Sequence, residues 1–249
     1  MQPLYQQVEH TLKEMIDGIE FEPGDQIPSE RELAEELHIS RMTIRRAIES
    51  LIRQGKLERR STSGTFVSEP NVIRQLTPGF VQSLSRQIQE KGGRAGSKLL
   101  MFEIIRAPIK VAEYLNVRLG SQVFLVKRLR LTNKLPFCIE TSYLPAGLFI
   151  GMTAEDITGH DSLYDYFHQT FNIIPNRSED QLKIAYATEE EATLLGLQLG
   201  GPVFYFRSIV FTDSGSPFEF VKSINHPDKV VFTSSTSLTT NPNLNMESL

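Results

Sequence analysis

Residues 27–66 read IPSERELAEELHISRMTIRRAIESLIRQGKLERRSTSGTF, and this stretch decides how the chain begins. Ser29 precedes an apolar-periodic run of Leu33, Ala34 and Leu37 and has Glu32 three residues on, a capping box that opens a short helix. His38 and Ile39 make a turn. Ser40 then caps a second helix in which Ile44, Ala47, Ile48, Leu51 and Ile52 recur at the spacing of one buried stripe, while Arg41, Arg45 and Arg46 take the other face. In a helix-turn-helix the second helix enters the major groove N-terminus first, so Ser40, Arg41, Met42, Thr43 and Arg45 are expected to meet it. Arginine there forks onto guanine O6 and N7, and short hydroxyls reach phosphates or base edges. Gly55 stops the helix, and the runs Leu57 to Arg60 and Thr65 to Ser68 flank Ser61-Thr62-Ser63-Gly64 as a two-stranded wing. The expected partner of this unit is duplex DNA.

Charge placement supports that expectation better than total charge does. With 26 basic against 30 acidic residues the chain has no global nucleic-acid signature. The basic residues cluster instead: Arg41, Arg45, Arg46, Arg53, Lys56, Arg59 and Arg60 face only Glu49 and Glu58 over the same span. Such an asymmetry marks one phosphate-facing surface. A solvated helix face also carries charge runs, so the capped helix pair with its wing is the more specific signal.

The run PSERELAEELHISRMTIRRAIESLIRQGKLERRSTSGTFV resembles the winged helix-turn-helix of GntR-type transcriptional regulators. The likeness takes in the first helix around Leu4, Tyr5, Val8, Leu12, Met15 and Ile16, and the Pro-Gly-Asp turn at Pro23 to Asp25. It implies that Arg31, Ser40, Arg41, Thr43, Arg45 and Gly64 contact operator DNA. The wing tip departs from the pattern, with Ser-Thr-Ser before the glycine where relatives often carry Lys or Arg.

The chain is 249 residues long, enough for a small reading head and a second body with its own core. Glu69 to Gly79, with Pro70, Pro78 and few apolar anchors, reads as a linker. The expected organisation is a DNA-binding unit at 1–69, a linker at 70–79, an effector-binding and dimerisation unit at 80–240 and a tail at 241–249. No apolar stretch approaches a membrane span and the N-terminus lacks a signal-peptide pattern, so a cytoplasmic protein is expected. The lone Cys138 excludes an intramolecular disulfide and, flanked by Phe137 and Ile139, reads as a buried inert thiol. No P-loop, nucleophile elbow or metal motif appears, so no catalytic residue, metal or cofactor is expected.

The second body contains an internal duplication. AEYLNVRLGSQVFLVKRLRLTNKLPF from Ala112 aligns with ATLLGLQLGGPVFYFRSIVFTDSGSPF from Ala192, with one extra residue in the second turn. Each copy reads as a short helix, a glycine turn, a strand, a tight turn with proline and a returning strand. Thr188 with Glu191 forms a capping box for the second helix. Two copies imply two similar halves sharing one antiparallel sheet with helices packed on it, an α+β arrangement. A helix near Ser162 to Phe171 lies between the copies, and strands at Leu99 to Arg106, Asn176 to Ala187 and Val230 to Ser235 are expected to complete the sheet.

Alternation puts Phe124, Val126, Arg128 and Arg130 on one strand face. The second copy has Ser208 and Val210 where the first has Arg128 and Arg130, so the arginine pair is not a requirement of the repeat. Neighbouring guanidinium groups repel unless an anion or a carboxylate lies between them. One reading is an anion clamp for phosphate or carboxylate; the other is an ion pair with Glu140 on the returning strand. Likewise the free amides and hydroxyl at Asp161 and Ser162 could bind an oxyanion, or Ser162 could simply cap its helix.

LRLTNKLPFCIETSYLP, SLYDYF and SPFEFVKS resemble the UTRA effector domain of the HutC branch of GntR regulators, a chorismate-lyase-like fold without lyase activity. The resemblance implies a winged helix-turn-helix joined to a chorismate-lyase-like antiparallel-sheet domain with flanking helices. It further implies that Arg128, Arg130, Glu140, Ser162, Tyr164 and Glu219 surround a small anionic effector such as a sugar phosphate. Many relatives continue Ser-x-Tyr-Arg-Gly-Asp where this chain has Ser223-Ile224-Asn225-His226-Pro227-Asp228, so a tyrosine that would contact the sugar is Asn225. The expected protein is a homodimeric repressor released from a palindromic operator by its ligand. Two alternatives stay open at this stage: a chorismate-lyase-like enzyme acting on a small organic acid, and a DNA-binding scaffold in which Glu140 and Glu219 saturate the arginines.

Overall fold

The computed structural model describes residues 3–18, 20–60, 64–68, 72–76 and 81–234; the wing tip at 61–63 and the expected tail at 241–249 lie outside them. Helices α1 (Leu4–Asp17), α2 (Glu30–Glu36) and α3 (Arg41–Arg53) and the hairpin of β1 (Leu57–Arg60) with β2 (Gly64–Val67) form the N-terminal unit. The capping box of Ser29 and Glu32 is present, and Ser40 caps α3 by accepting from the Thr43 amide. His38 takes the left-handed turn conformation between them, at φ 54°. Ile44, Ala47, Ile48 and Leu51 turn inward against Val8 and Leu12 of α1 and Leu33 of α2, closing a small core of their own. Gly64 has φ 120°, and a Cβ there would meet the Gln26 side chain, so the wing's backbone itself demands glycine.

Next come β3 (Val72–Gln75), α4 (Leu84–Glu90), β4 (Ala95–Arg106), α5 (Ile109–Tyr114), β5 (Gln122–Thr132) and β6 (Leu135–Pro145). After them run α6 (Ala154–Gly159), α7 (Leu163–Phe171), β7 (Arg177–Tyr186), α8 (Glu189–Leu195), β8 (Pro202–Phe211), β9 (Pro217–Asn225) and β10 (Val230–Thr233). The six-stranded antiparallel sheet has the order β4-β5-β6-β9-β8-β7. Read inward from either edge, it repeats one succession, strand, helix, strand, strand, so the duplication seen in the sequence spans β4 to β6 and β7 to β9. The turn of the first copy, Asn133-Lys134, has φ 51° and 70°, the pair of positive values a tight two-residue hairpin needs. One residue more in the second copy brings Gly215 into the turn, at φ 79°.

One strand does not join this sheet. The run Val230 to Ser235 is expected to complete it, but β10 pairs in parallel with β3, at Val230↔Val72 through Thr233↔Gln75. The stretch that composition reads as a linker thus holds a strand at 72–75, and this two-stranded ribbon packs Phe232 against Phe204 and Phe206 of β8. A strand pattern in sequence records half-burial and not the partner, which is why the expectation failed.

On one face of the sheet, α7 lays Leu163, Tyr166 and Phe167 over Phe124, Val126, Val210 and Phe218. On the other, α5 buries Val111, Ala112 and Leu115 against Val123 and Phe220, and α8 buries Leu195 against Leu129 and Ile139. No helix among the described residues is long and apolar enough to cross a membrane.

Candidate functional sites

The first candidate site is the exposed face of α3. Arg41 and Met42 stand in solvent, Met42 at 72 % exposure although methionine has apolar surface to hide. Arg31 is exposed and 3.9 Å from Glu35, and Arg45 is held by Glu49, its Nε donating at 3.0 Å. Ser40 and Thr43 hydroxyls bond each other at 2.9 Å, so the pair that opens the helix is preordered. The basic cluster is less uniform than its sequence. Arg46 lies over the Tyr5 ring at 4.2 Å, Arg59 pairs with Glu30 at 2.7 Å, and Lys56 pairs with Asp228 of the other unit at 2.8 Å. Lys56 is thereby largely buried, whereas Arg46 and Arg59 stay exposed although engaged, as does Arg53 at the end of α3.

The second site is a cavity over the sheet. Pairing sets Arg128, Glu140, Ser223 and Phe206 in one row across β5, β6, β9 and β8. Val126, Ser142, Val221, Ser208 and Asp180 form the next row, and Arg130, Cys138, Asn225 and Phe204 the one on the other side. Side chains two apart on a strand share a face, so the polar members of these rows converge. Ser162 and Tyr164 of α7, Ser85 of α4 and Arg74 of β3 line the same cavity with them.

Glu140 accepts from Arg128 Nη2 at 2.6 Å and from Arg130 Nη1 at 2.9 Å, all three side chains being buried. Arg130 Nη2 also donates to Ser85 Oγ at 2.7 Å, and that hydroxyl donates to the Asp161 carbonyl at 2.5 Å. Glu219 does not touch the arginines. Its oxygens accept from the Ser142 hydroxyl at 2.5 Å and the Tyr164 hydroxyl at 2.8 Å. Arg128 Nη1 and Arg130 Nε therefore remain buried with no acceptor. An unpaired buried donor costs roughly 1–3 kcal/mol, so the cavity is incomplete without an acceptor from outside the protein.

The electrostatics agree. Burial alone would raise the Glu140 carboxyl, but the combined pull of Arg130, Arg128 and Arg74 outweighs it and holds the group at about 2. Burial, then the charge of Arg130, brings Arg128 down to about 10, still protonated at neutral pH. Burial keeps Glu219 above the usual carboxylate range against the hydrogen bonds from Ser142 and Tyr164. The Tyr164 hydroxyl is pushed well up by burial and by Glu219, and Cys138 rises to about 12 by burial, an inert thiol.

All six effector residues expected from sequence thus border one cavity, with two refinements. Ser162 is engaged as a helix cap, accepting from the Asp165 amide at 3.3 Å, and Glu219 partners hydroxyls and not guanidinium groups. Sequence reasoning missed Ser85, Ser142, Asp180 and Arg74. Only Ser142 carried a signal, its alternation with Glu140 along β6.

Residues 4–67 match the family described as bacterial regulatory proteins, gntR family, and residues 90–231 match the UTRA domain. Over 231 residues the chain is 34% identical to the HTH-type transcriptional repressor NagR of Bacillus subtilis, covering 92% of this chain and 93% of that protein. It is 30% identical to the mannosyl-D-glycerate transport/metabolism system repressor MngR of Escherichia coli, with 93% and 95% covered. Among solved structures it is similar to PhnF from Mycobacterium smegmatis, at TM-score 0.63 and 27% identity, over 93% of this chain and 99% of that one.

Proposed function

Because the chain belongs to the gntR family of bacterial regulatory proteins and carries its UTRA domain, we propose that it is a repressor whose grip on a palindromic operator is released by a small anion, best a phosphorylated sugar. The family is one of DNA-binding regulators and not of enzymes, which removes the lyase alternative. The observation that carries the ligand half is the pair of buried guanidinium donors at Arg128 Nη1 and Arg130 Nε without an acceptor. Arg128 and Arg130 share the single oxygen Glu140 Oε2, and a phosphate would take the guanidinium donors left over. Those two donors also speak against a scaffold without ligand, for which Glu140 and Glu219 would have to saturate both arginines.

On this reading Arg31, Ser40, Arg41, Thr43, Arg45 and the wing glycine Gly64 meet the operator. Arg128, Arg130, Glu140, Ser162, Tyr164 and Glu219 hold the effector. Two chains pair through their effector units, so that two α3 helices meet half-sites about one helical turn apart. Exposed apolar side chains on the edge strand β7, Ile184 at 67 % and Tyr186 at 72 %, support such pairing. Ligand then weakens DNA binding by favouring a dimer geometry in which the heads no longer fit the operator.

Thermal unfolding against phosphorylated sugars, their parent sugars and sugar acids tests this. A ligand specific for the native state raises its melting temperature. A shift with a phosphate ester and none with its parent is expected, and Arg128→Ala should abolish both the shift and the ligand's effect on operator binding while leaving unliganded operator binding intact. An unaltered ligand response in that variant would remove the clamp.

A further inference from the structure

Arg74 belongs to the ribbon and not to the sheet, yet its guanidinium lines the same cavity as Arg128 and Arg130. It lies 4.2 Å from the Phe206 ring centroid and 5.5 Å from that of Phe232, so its plane is fixed by aromatic contact. Its Nη1 donates to Ser223 Oγ at 2.9 Å and to Asn225 Oδ1 at 3.0 Å. Asn225 is fully buried, and its amide nitrogen donates to the carbonyl of Phe204 at 3.2 Å, which aims Oδ1 at the arginine. Nη2 and Nε have no protein acceptor among the described residues. An arginine held by one nitrogen, stacked on rings and facing a polar cavity keeps the rest of its planar fork for an anion.

The sheet sets apart the backbone anchors of this fork and of the arginine pair. Arg128, Glu140 and Ser223 are consecutive members of one row, so Arg128 and the serine that anchors Arg74 stand two strand spacings apart, roughly 10 Å. That backbone separation exceeds one phosphate group and is of the order of an extended six-carbon chain together with a phosphate ester at one end and a carboxylate at the other.

Resting on the reading of the cavity as an anion site, we infer that Arg74 forms a second anion subsite and that the effector class is a sugar derivative anionic at both ends, a phosphate on Arg128 and Arg130 and a carboxylate on Arg74. Asn225 is then a specificity residue that acts through Arg74, holding its fork toward the cavity.

The test is isothermal titration of the full chain with 6-phosphogluconate and with sorbitol 6-phosphate, two open chains of six carbons that differ in having or lacking the second anion. The wild type should bind 6-phosphogluconate on the order of tenfold more tightly, the scale of one charge-assisted hydrogen-bonded contact. Arg74→Gln should erase that preference while changing sorbitol 6-phosphate affinity by less than about threefold. Asn225→Asp, which sets a competing carboxylate against Arg74 without removing it, should reduce the preference as well. The ratio of two affinities in one folded protein is insensitive to a general loss of stability. Equal affinities in the wild type, no binding of 6-phosphogluconate, or a preference that survives Arg74→Gln each overturn the second subsite. Binding of both ligands that survives Arg128→Ala would instead overturn the anion-site reading beneath it.

Discussion

A single carboxylate oxygen, Glu140 Oε2, serves both Arg128 and Arg130, at 2.6 Å and 2.9 Å, on adjacent strands of the sheet. Removing its charge leaves two buried cations without a counter-ion, and breaking a buried pair in this way costs about 3–5 kcal/mol. Glu140→Gln should therefore lower the unfolding free energy by that amount, read as a lower urea midpoint, and added inorganic phosphate should restore part of it by replacing the lost charge. Unchanged stability would mean that water reaches the arginines freely.

Acid should lower stability over two ranges of pH. Burial, helped by the charge of Lys229, lowers His226 to about 4 from 6.5, and its Nδ1 accepts from the Asp228 amide at 3.2 Å as a neutral ring does. Since the unfolded chain takes up this proton first, stability falls as pH drops from about 6.5 toward 4, by on the order of 3 kcal/mol. Glu140, held at about 2 against an ordinary 4.5, contributes stability that is complete above 4.5 and lost between 4.5 and 2. Melting temperature against pH should show both limbs, and His226→Asn, which keeps an acceptor but does not titrate, should flatten the upper one.

At the DNA-reading face, Arg41 and Ser40 separate affinity from folding. Arg41 is exposed, so Arg41→Ala should leave stability unchanged and cost about 1–3 kcal/mol at the operator, with relaxed base preference. Ser40 caps α3 through the Thr43 amide, and Ser40→Ala should lose about 1 kcal/mol of folding free energy as well as operator affinity. Denaturation and fluorescence anisotropy on the same preparations distinguish the two; unaltered affinity and preference in Arg41→Ala would take it out of the groove.

What sequence disclosed follows from the range of each physical signal. Caps at Ser29, Ser40 and Thr188 are local, spoken by residues three apart, and all were legible. Arg128, Arg130 and Glu140 were legible because strand alternation and the repeat together set their face and register, whereas Tyr164 and Glu219 rested on family resemblance alone. Arg74, Ser85 and Asp180 were silent: each reaches the cavity from a separate element, and no spacing along the chain encodes that meeting. Lys56 shows the reverse error, a cation counted toward phosphate on composition whose partner is Asp228.

The ribbon of β3 and β10 has a consequence for how the molecule comes into being. Its strands lie at opposite ends of the effector unit, so β3 has no hydrogen-bonding partner until nearly all of that unit has been synthesised. The N-terminal unit, with a core of its own, is free to fold as it leaves the ribosome, while the segment that follows it must wait for the last strand. Pairing of the segment that joins the reading head to the effector unit is thus a late event of assembly, and a chain truncated before Val230 would carry a finished head on a connection whose strand lacks its partner.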